Sequence, residues 1–423
     1  MEGQGHGTAS IPQRGRNLMS FPYTFPITLS RDIGHFVDVP QLQSLRVLVW
    51  SDYNKNALLD DHTDNFTGLT FSTALHGGFK LCSLSVPMSL ERLWLYFERE
   101  NLAGRHFAHL EILEEQKIVW EGRIMAVGFD PSGANLSLNI EAAGYWSSCR
   151  DQFYDSADAG NTDWTSGSHT VDDIINEMLT EECPDINSDQ TNIDDPGLNV
   201  GGIDLTDRDY PQNIIVDKLP MTSDGTDQWH FAIWENRIPY FKQRVATTLH
   251  WTTFTSELGS GSSLMQSAYE LRNSVLPVKD GTEGTALAES DRRSGVPLRE
   301  YKLTIQKGTP TAAENEERDR ALAEKQRPQQ SQRFNLTGRV WSTKDSGAFI
   351  GKPLWNVRAG EVLRIADLVP YSVSTPELDA LRTFFINETQ YDAVTDTLTV
   401  VPDRPSRDLL TMLVRNVQME QQR

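Results

Sequence analysis

The sequence predicts an α+β, β-rich protein: several small antiparallel β domains, barrel- or sandwich-like, with two or three helices. Three observations predict it. Short apolar runs alternate with turn material over most of the chain. Several of them keep a strict period of two, which marks a strand with one buried face. Only a few stretches carry helix signals, and these stand apart from the strand-rich regions.

The 423 residues leave room for roughly three domains and a sizeable core. Residues 1–40 bear Gly, Ser and Pro with little periodicity and read as a flexible arm. Region 41–150 reads as an N-terminal β domain. Its strands are Leu45–Trp50, Leu69–Phe71, Leu81–Met88 and the run Leu93–Phe97. A hairpin follows, with His109–Leu113 and Lys117–Trp120 flanking Glu114-Glu115-Gln116, and Gly122-Arg123-Ile124 continuing the second arm. After the turn Asp130–Gly133, Leu136, Leu138 and Ile140 alternate with polar residues.

Region 151–330 reads as an α+β middle part with an acidic loop. Thr170 and Asp173 form a capping box for a helix whose buried face is Ile174, Ile175, Met178 and Leu179, ended by Cys183-Pro184. Strands resume at Trp229–Trp234 and Ile238–Phe241 around the turn Glu235-Asn236-Arg237. A charged helix from Thr311 to about Gln326, with Leu322 nearly its only large apolar residue, packs by one narrow face or stays in solvent. Region 331–423 is a C-terminal β domain. Its strands Val362–Ile365, Thr383–Ile386 and Leu398–Val401 are separated by Arg358-Ala359-Gly360, Pro370 and Asp392–Asp396. Asp408–Met419 reads as a closing amphipathic helix.

Charge narrows the function. Acidic side chains number 59 against 39 basic, a net charge of −20, which disfavours specific nucleic-acid binding because phosphate backbones need clustered Lys and Arg. An acidic wall can instead line a channel through which DNA slips without sticking. Between Glu181 and Asp227, twelve acidic residues face two basic ones, Arg208 and Lys218; this reads as a solvated loop rather than a cation site. Cys82, Cys149 and Cys183 are too few and scattered for a disulfide framework, so a reducing compartment is the simpler reading. The N-terminus lacks a secretory signal and no apolar run reaches the length of a membrane span.

The sequence offers no catalytic, cofactor or metal residues, and the chain reads as no enzyme. Asp52-Tyr53-Asn54-Lys55-Asn56 alternates like a calcium loop, but Ala57 replaces the turn glycine and Thr63 the bidentate Glu. Asp185–Asp189 fails in the same way. Gly347–Lys352 is one residue short of a phosphate loop and is followed by Pro353; it reads as a turn before a strand. His106 and His109 lie three apart at a strand entry with no third ligand beside them. Glu114-Glu115 sits in a hairpin turn, where charge is simply solvated. Trp50, Trp94, Trp120 and Trp146 fall in or at the ends of strands and read as core rather than as a sugar platform.

Several pieces in order resemble a baseplate-hub or tail-tip protein of long-tailed bacteriophages. They are Trp120-Glu121-Gly122-Arg123-Ile124, Glu141-Ala142-Ala143-Gly144-Tyr145-Trp146, Phe231–Arg237, Tyr240-Phe241, Ala321-Leu322-Ala323 with Pro328, Pro353–Ile365 and Arg382–Asp392. The match spans about residues 110–410; the first hundred residues match only as a generic β domain. The resemblance implies a structural subunit of the virion, assembled in the host bacterial cytoplasm, that forms a homo-oligomeric ring, most simply a trimer. It implies a distal tail protein, a tape-measure protein and a central spike or fibre protein as partners. The chain ends at Arg423, so a fibre or lytic domain is expected on a separate polypeptide. A distal tail ring protein and a receptor-binding, glycan-degrading tail protein are the alternatives. Trp355, Arg358 and Gly360 are the residues of greatest expected structural weight: Gly360 in a turn conformation costly for other residues, Arg358 paired to a carboxylate or carbonyl.

Overall fold

Alternating burial builds the first sheet. In strand Ser137–Ala143, Leu138, Ile140 and Ala142 are buried while Asn139 and Glu141 face solvent. In Gly68–Ala74, Leu69 and Phe71 are buried between half-exposed neighbours. The computed structural model describes residues 36–37, 45–63, 65–97, 106–130, 136–195, 199–201, 203–219, 222–223, 227–243, 251–267, 272–279, 281–288, 297–305, 329–342, 349–368 and 382–402, with Asn315, Arg318 and Leu322. The expected arm (apart from Phe36 and Val37), the turn after Asp130, most of the 311–326 helix and the closing helix lie outside these residues.

An unbroken antiparallel run of ten strands forms the frame. It passes from Leu58–Asp61 through Leu45–Trp50, His109–Glu114, Lys117–Asp130, Ser137–Ala143, Gly77–Pro87 and Gly68–Ala74. It continues into Thr383–Asp392, Thr397–Pro402 and Gln329–Leu336. The N-terminal and C-terminal strands therefore share one ladder, joined where Tyr391 lies opposite Phe71 and Thr389 opposite Thr73. The start of Thr383–Asp392 also pairs with Val362–Ile365, which runs parallel to Trp251–Thr253. That strand leads through Val340–Ser342 to Phe349–Lys352 and Phe36–Val37. Both sets of strands close on one apolar core that includes Val47, Leu84, Ile112, Trp120, Leu336, Leu363 and Ile386.

A second core gathers the middle region. Helix Val171–Glu182 buries Val171, Ile174, Ile175, Met178 and Leu179 against Ile214, Ile215, Phe231 and Phe241. Thr170 is its N-cap residue, but the hydroxyl makes no cap hydrogen bond; Asp172 and Asp173 complement the helix N-terminus instead. The acidic stretch is more than a solvated loop. It contains a helical turn at Pro211–Asn213 continued by a π-turn over Ile214–Lys218, with Leu205, Ile214, Ile215 and Leu219 buried beneath its charges. A small sheet of Ser274–Lys279, Glu300–Ile305, Thr282–Glu283 and Leu287–Ala288 stands apart. Leu322, which is helical, packs on it against Val275, Leu287, Tyr301 and Leu303.

A strand expectation fails as well. Leu93–Phe97 is not a strand: Leu90–Phe97 is an α-helix that buries Leu93 and Tyr96. Tyr96 Oη donates to Asp60 Oδ2 at 2.8 Å and meets His62 Nε2 at 2.9 Å, so a three-residue spacing, not alternation, is what the surroundings require. Among the described residues no helix is long and apolar enough to cross a membrane.

Candidate functional site

The polar residues that carry this fold meet in a seam between the hairpin 109–130, the turn Glu235–Arg237 and the loop 353–361. The turn is held in shape by left-handed backbone at Asn236 (φ 60°) and Arg237 (φ 61°), which aims the Arg237 amide at Glu121. Arg358 crosses the seam. Its guanidinium pairs with Glu235 and donates to the Ile118 carbonyl at 2.9 Å, meeting both a carboxylate and a carbonyl as expected. The guanidinium also lies 5.3 Å from the Phe79 ring and 5.6 Å from Trp234. Burial pushes the Glu235 carboxyl up, but the Arg358 charge and the hydrogen bonds to the carboxylate together outweigh it and hold the group below its ordinary value. Gly360 takes φ +85°, a left-handed conformation that costs other residues about 1–2 kcal/mol. Trp355 is half-buried and meets Tyr391 edge-on at 5.6 Å.

Glu361 accepts from the Trp251 indole and from the Arg358 amide at 3.1 Å. Glu114 is not solvated, as its place in a turn suggests, but buried, accepting from Asn356 Nδ2 at 3.0 Å. These groups line a cavity of about 450 Å³ with Glu115, Lys117 and Lys352. Glu235, Glu361 and Glu114 each accept from a donor within the protein.

Inside the hairpin lies a second polar group that spacing along the chain does not reveal. Glu111 and Glu121 stand directly opposite in the ladder, and His109 is two residues from Glu111 on the same face. All three are at most 2% exposed. Glu111 accepts from Trp50 Nε1 at 3.1 Å and pairs with the Lys55 ammonium. Glu121 accepts from the Arg237 amide at 2.7 Å. His109 Nδ1 meets Tyr145 Oη at 2.8 Å, and its Nε2 has no hydrogen-bond partner. Burial pushes His109 down to about 3 and Glu121 up to about 7. His106 is not part of this group. The missed signal is a bulge between Ile112 and Leu113 that shifts the hairpin by one residue, so Glu111 faces Glu121 instead of Trp120.

The remaining sequence candidates take ordinary roles. Asp52 sits half-exposed in a turn, accepting from the Asn54 amide and Asn56 side chain. Asp189 likewise caps Thr191. Phe349–Lys352 is itself a strand rather than the turn before one, and Gly347 and Ala348 lie outside the described residues. The three cysteines are buried free thiols. Trp120 is fully buried, Trp50 and Trp146 half-buried, and the Trp94 side chain lies outside the described residues.

No family model matches the sequence, and no curated protein matches it. Solved structures do. The chain is similar to the 43 kDa tail protein of prophage MuSo2 from Shewanella oneidensis, with 9% identity and a TM-score of 0.58 over 86% of this chain and 98% of that one. It is similar to a tail protein from Neisseria meningitidis, with 11% identity and a TM-score of 0.56 over 86% and 96%. The fold is that of phage-type tail proteins, matched over nearly the whole of each of these two structures.

Proposed function

We propose that the chain is a structural subunit of a phage-type tail tip or baseplate: a hub ring that joins the tail tube to a central spike or fibre. The observation that carries this reading is the fold match to two tail proteins over nearly their full length. In it, small barrel-like β domains assemble as a ring, most simply a trimer, with a distal tail protein above, the tape-measure protein inside and the spike or fibre below. The chain's net charge of −20 suits a channel wall that releases DNA. Its site of action is the virion.

The glycan-degrading alternative asks for exposed tryptophans and a cleft with two uncommitted carboxylates. None of the described tryptophan side chains is exposed, and Glu114, Glu235 and Glu361 are bound to donors. This supports a non-enzymatic role.

The test is the mass and symmetry of the purified full chain, alone and mixed with the distal tail protein from the same genome, by light scattering and negative-stain imaging. A ring with a central hole, alone or on the partner, is expected. A hexameric ring assigns the distal tail role instead. A monomer in both samples, or hydrolysis of a host polysaccharide, overturns the hub.

A further inference from the structure

The group His109, Glu111 and Glu121 has the chemistry of a metal site. Each residue offers one ligand atom, and the three atoms lie within 4.8 Å of one another. Tetrahedral zinc with bonds of about 2.1 Å needs its ligand atoms about 3.4 Å apart, so small rotations of the side chains suffice. His109 Nε2 already lies 3.9 Å from Glu121 Oε2, buried, without a hydrogen-bond partner and aimed into the group. An orphaned buried nitrogen of this kind calls for an occupant. The opposite ring nitrogen is held by Tyr145 Oη. When Nδ1–H donates to that oxygen, Nε2 presents a bare lone pair, and this is how a ligating imidazole is usually fixed by its surroundings.

We propose that His109 Nε2, Glu111 and Glu121 bind one divalent first-row transition ion, zinc-like in its preference for mixed nitrogen and oxygen ligands. The ion clamps the hairpin to the Glu235–Arg237 turn, because Glu121 also holds the Arg237 amide. Lys55 is the gate. Its ammonium occupies Glu111, yet its side chain is 35% exposed, so it can swing to water when the ion arrives. Two carboxylates then neutralise one dication, leaving no net charge buried. The fourth position falls to water or to a second carboxylate oxygen.

The experiment uses tag-free full-length chain stripped with EDTA, titrated with Zn²⁺ by calorimetry and with Co²⁺ by visible absorption. One ion per chain is expected, with ligand-field bands of low-coordinate cobalt. H109Q and E121Q should each weaken binding at least tenfold, and Y145F about tenfold. H106Q should leave it unchanged. Removing the competing ammonium in K55M should tighten binding severalfold. Failure of the wild-type chain to take up either ion overturns the proposal. So does uptake that H109Q and E121Q leave unchanged. If those core variants do not fold, the wild-type stoichiometry and the direction of the K55M change still decide.

Discussion

Arg358 is anchored to two distant segments at once, since Glu235 and the Ile118 carbonyl both take its guanidinium. Its side chain is 13% exposed and that of Glu235 28%, so the pair lies between the surface regime, worth little, and the buried regime, where orphaning one partner is costly. R358M is expected to destabilise by about 2 kcal/mol in chemical unfolding, with R358M/E235Q recovering part of the loss because no charge is then left alone. The sign with pH follows from the depressed Glu235 carboxyl. A glutamate held below its unfolded value contributes stability that is present above about pH 4.3 and lost as pH falls further. Between about pH 6 and pH 3 the wild type should therefore lose more stability than E235Q. Equal losses would mean the ion pair contributes nothing.

Among the elements, helix Leu90–Phe97 is where alternation misleads. Its apolar residues are dense enough to satisfy either period, and the arbiter is the buried polar set beneath it. Tyr96 joins Asp60 and His62, both under 7% exposed. Y96F should cost about 1–3 kcal/mol, because buried Asp60 loses a donor that water cannot replace; a change under about 0.5 kcal/mol in thermal or urea unfolding would refute that account. The strands were legible because their signal is local: the apolar residues of Val362–Ile365, Thr383–Asp392 and Leu138–Ala142 alternate or cluster within a few positions of one another. Arg358 and Gly360 were legible for the same reason. The His109 group was not. Its geometry depends on the one-residue bulge after Ile112, and in a hairpin one residue of slip exchanges the two faces. The turn 211–218 was hidden by its charges, since the apolar Ile214-Ile215 pair is too short to show a period.

At the scale of the molecule, the ladder between Gly68–Ala74 and Thr383–Asp392 matters most. Thr73 and Thr389 hydroxyls meet at 2.6 Å, and Thr73 Oγ1 also accepts the Ala359 amide. Both sets of strands thus share one core, and neither buries its apolar face alone. A chain ending at Arg382 would uncover the edges of Gly68–Ala74 and Gln329–Leu336 together with the core that Ile386, Tyr391, Leu398 and Val400 cover. It is expected to elute as aggregate in gel filtration and to bind ANS. A soluble, cooperatively unfolding fragment would contradict the shared core.

That ladder also sets a clock for synthesis. Thr73 precedes its partner Thr389 by 316 residues. At about 5–20 residues per second, the ribosome takes roughly 15–60 s to deliver the second strand after the first. Throughout that interval the nascent Gly68–Ala74 edge has no mate from the C-terminal strands, while neighbouring copies on the same message carry identical, equally unmated edges. The chain is then most open to edge-to-edge pairing with its neighbours before its synthesis is finished.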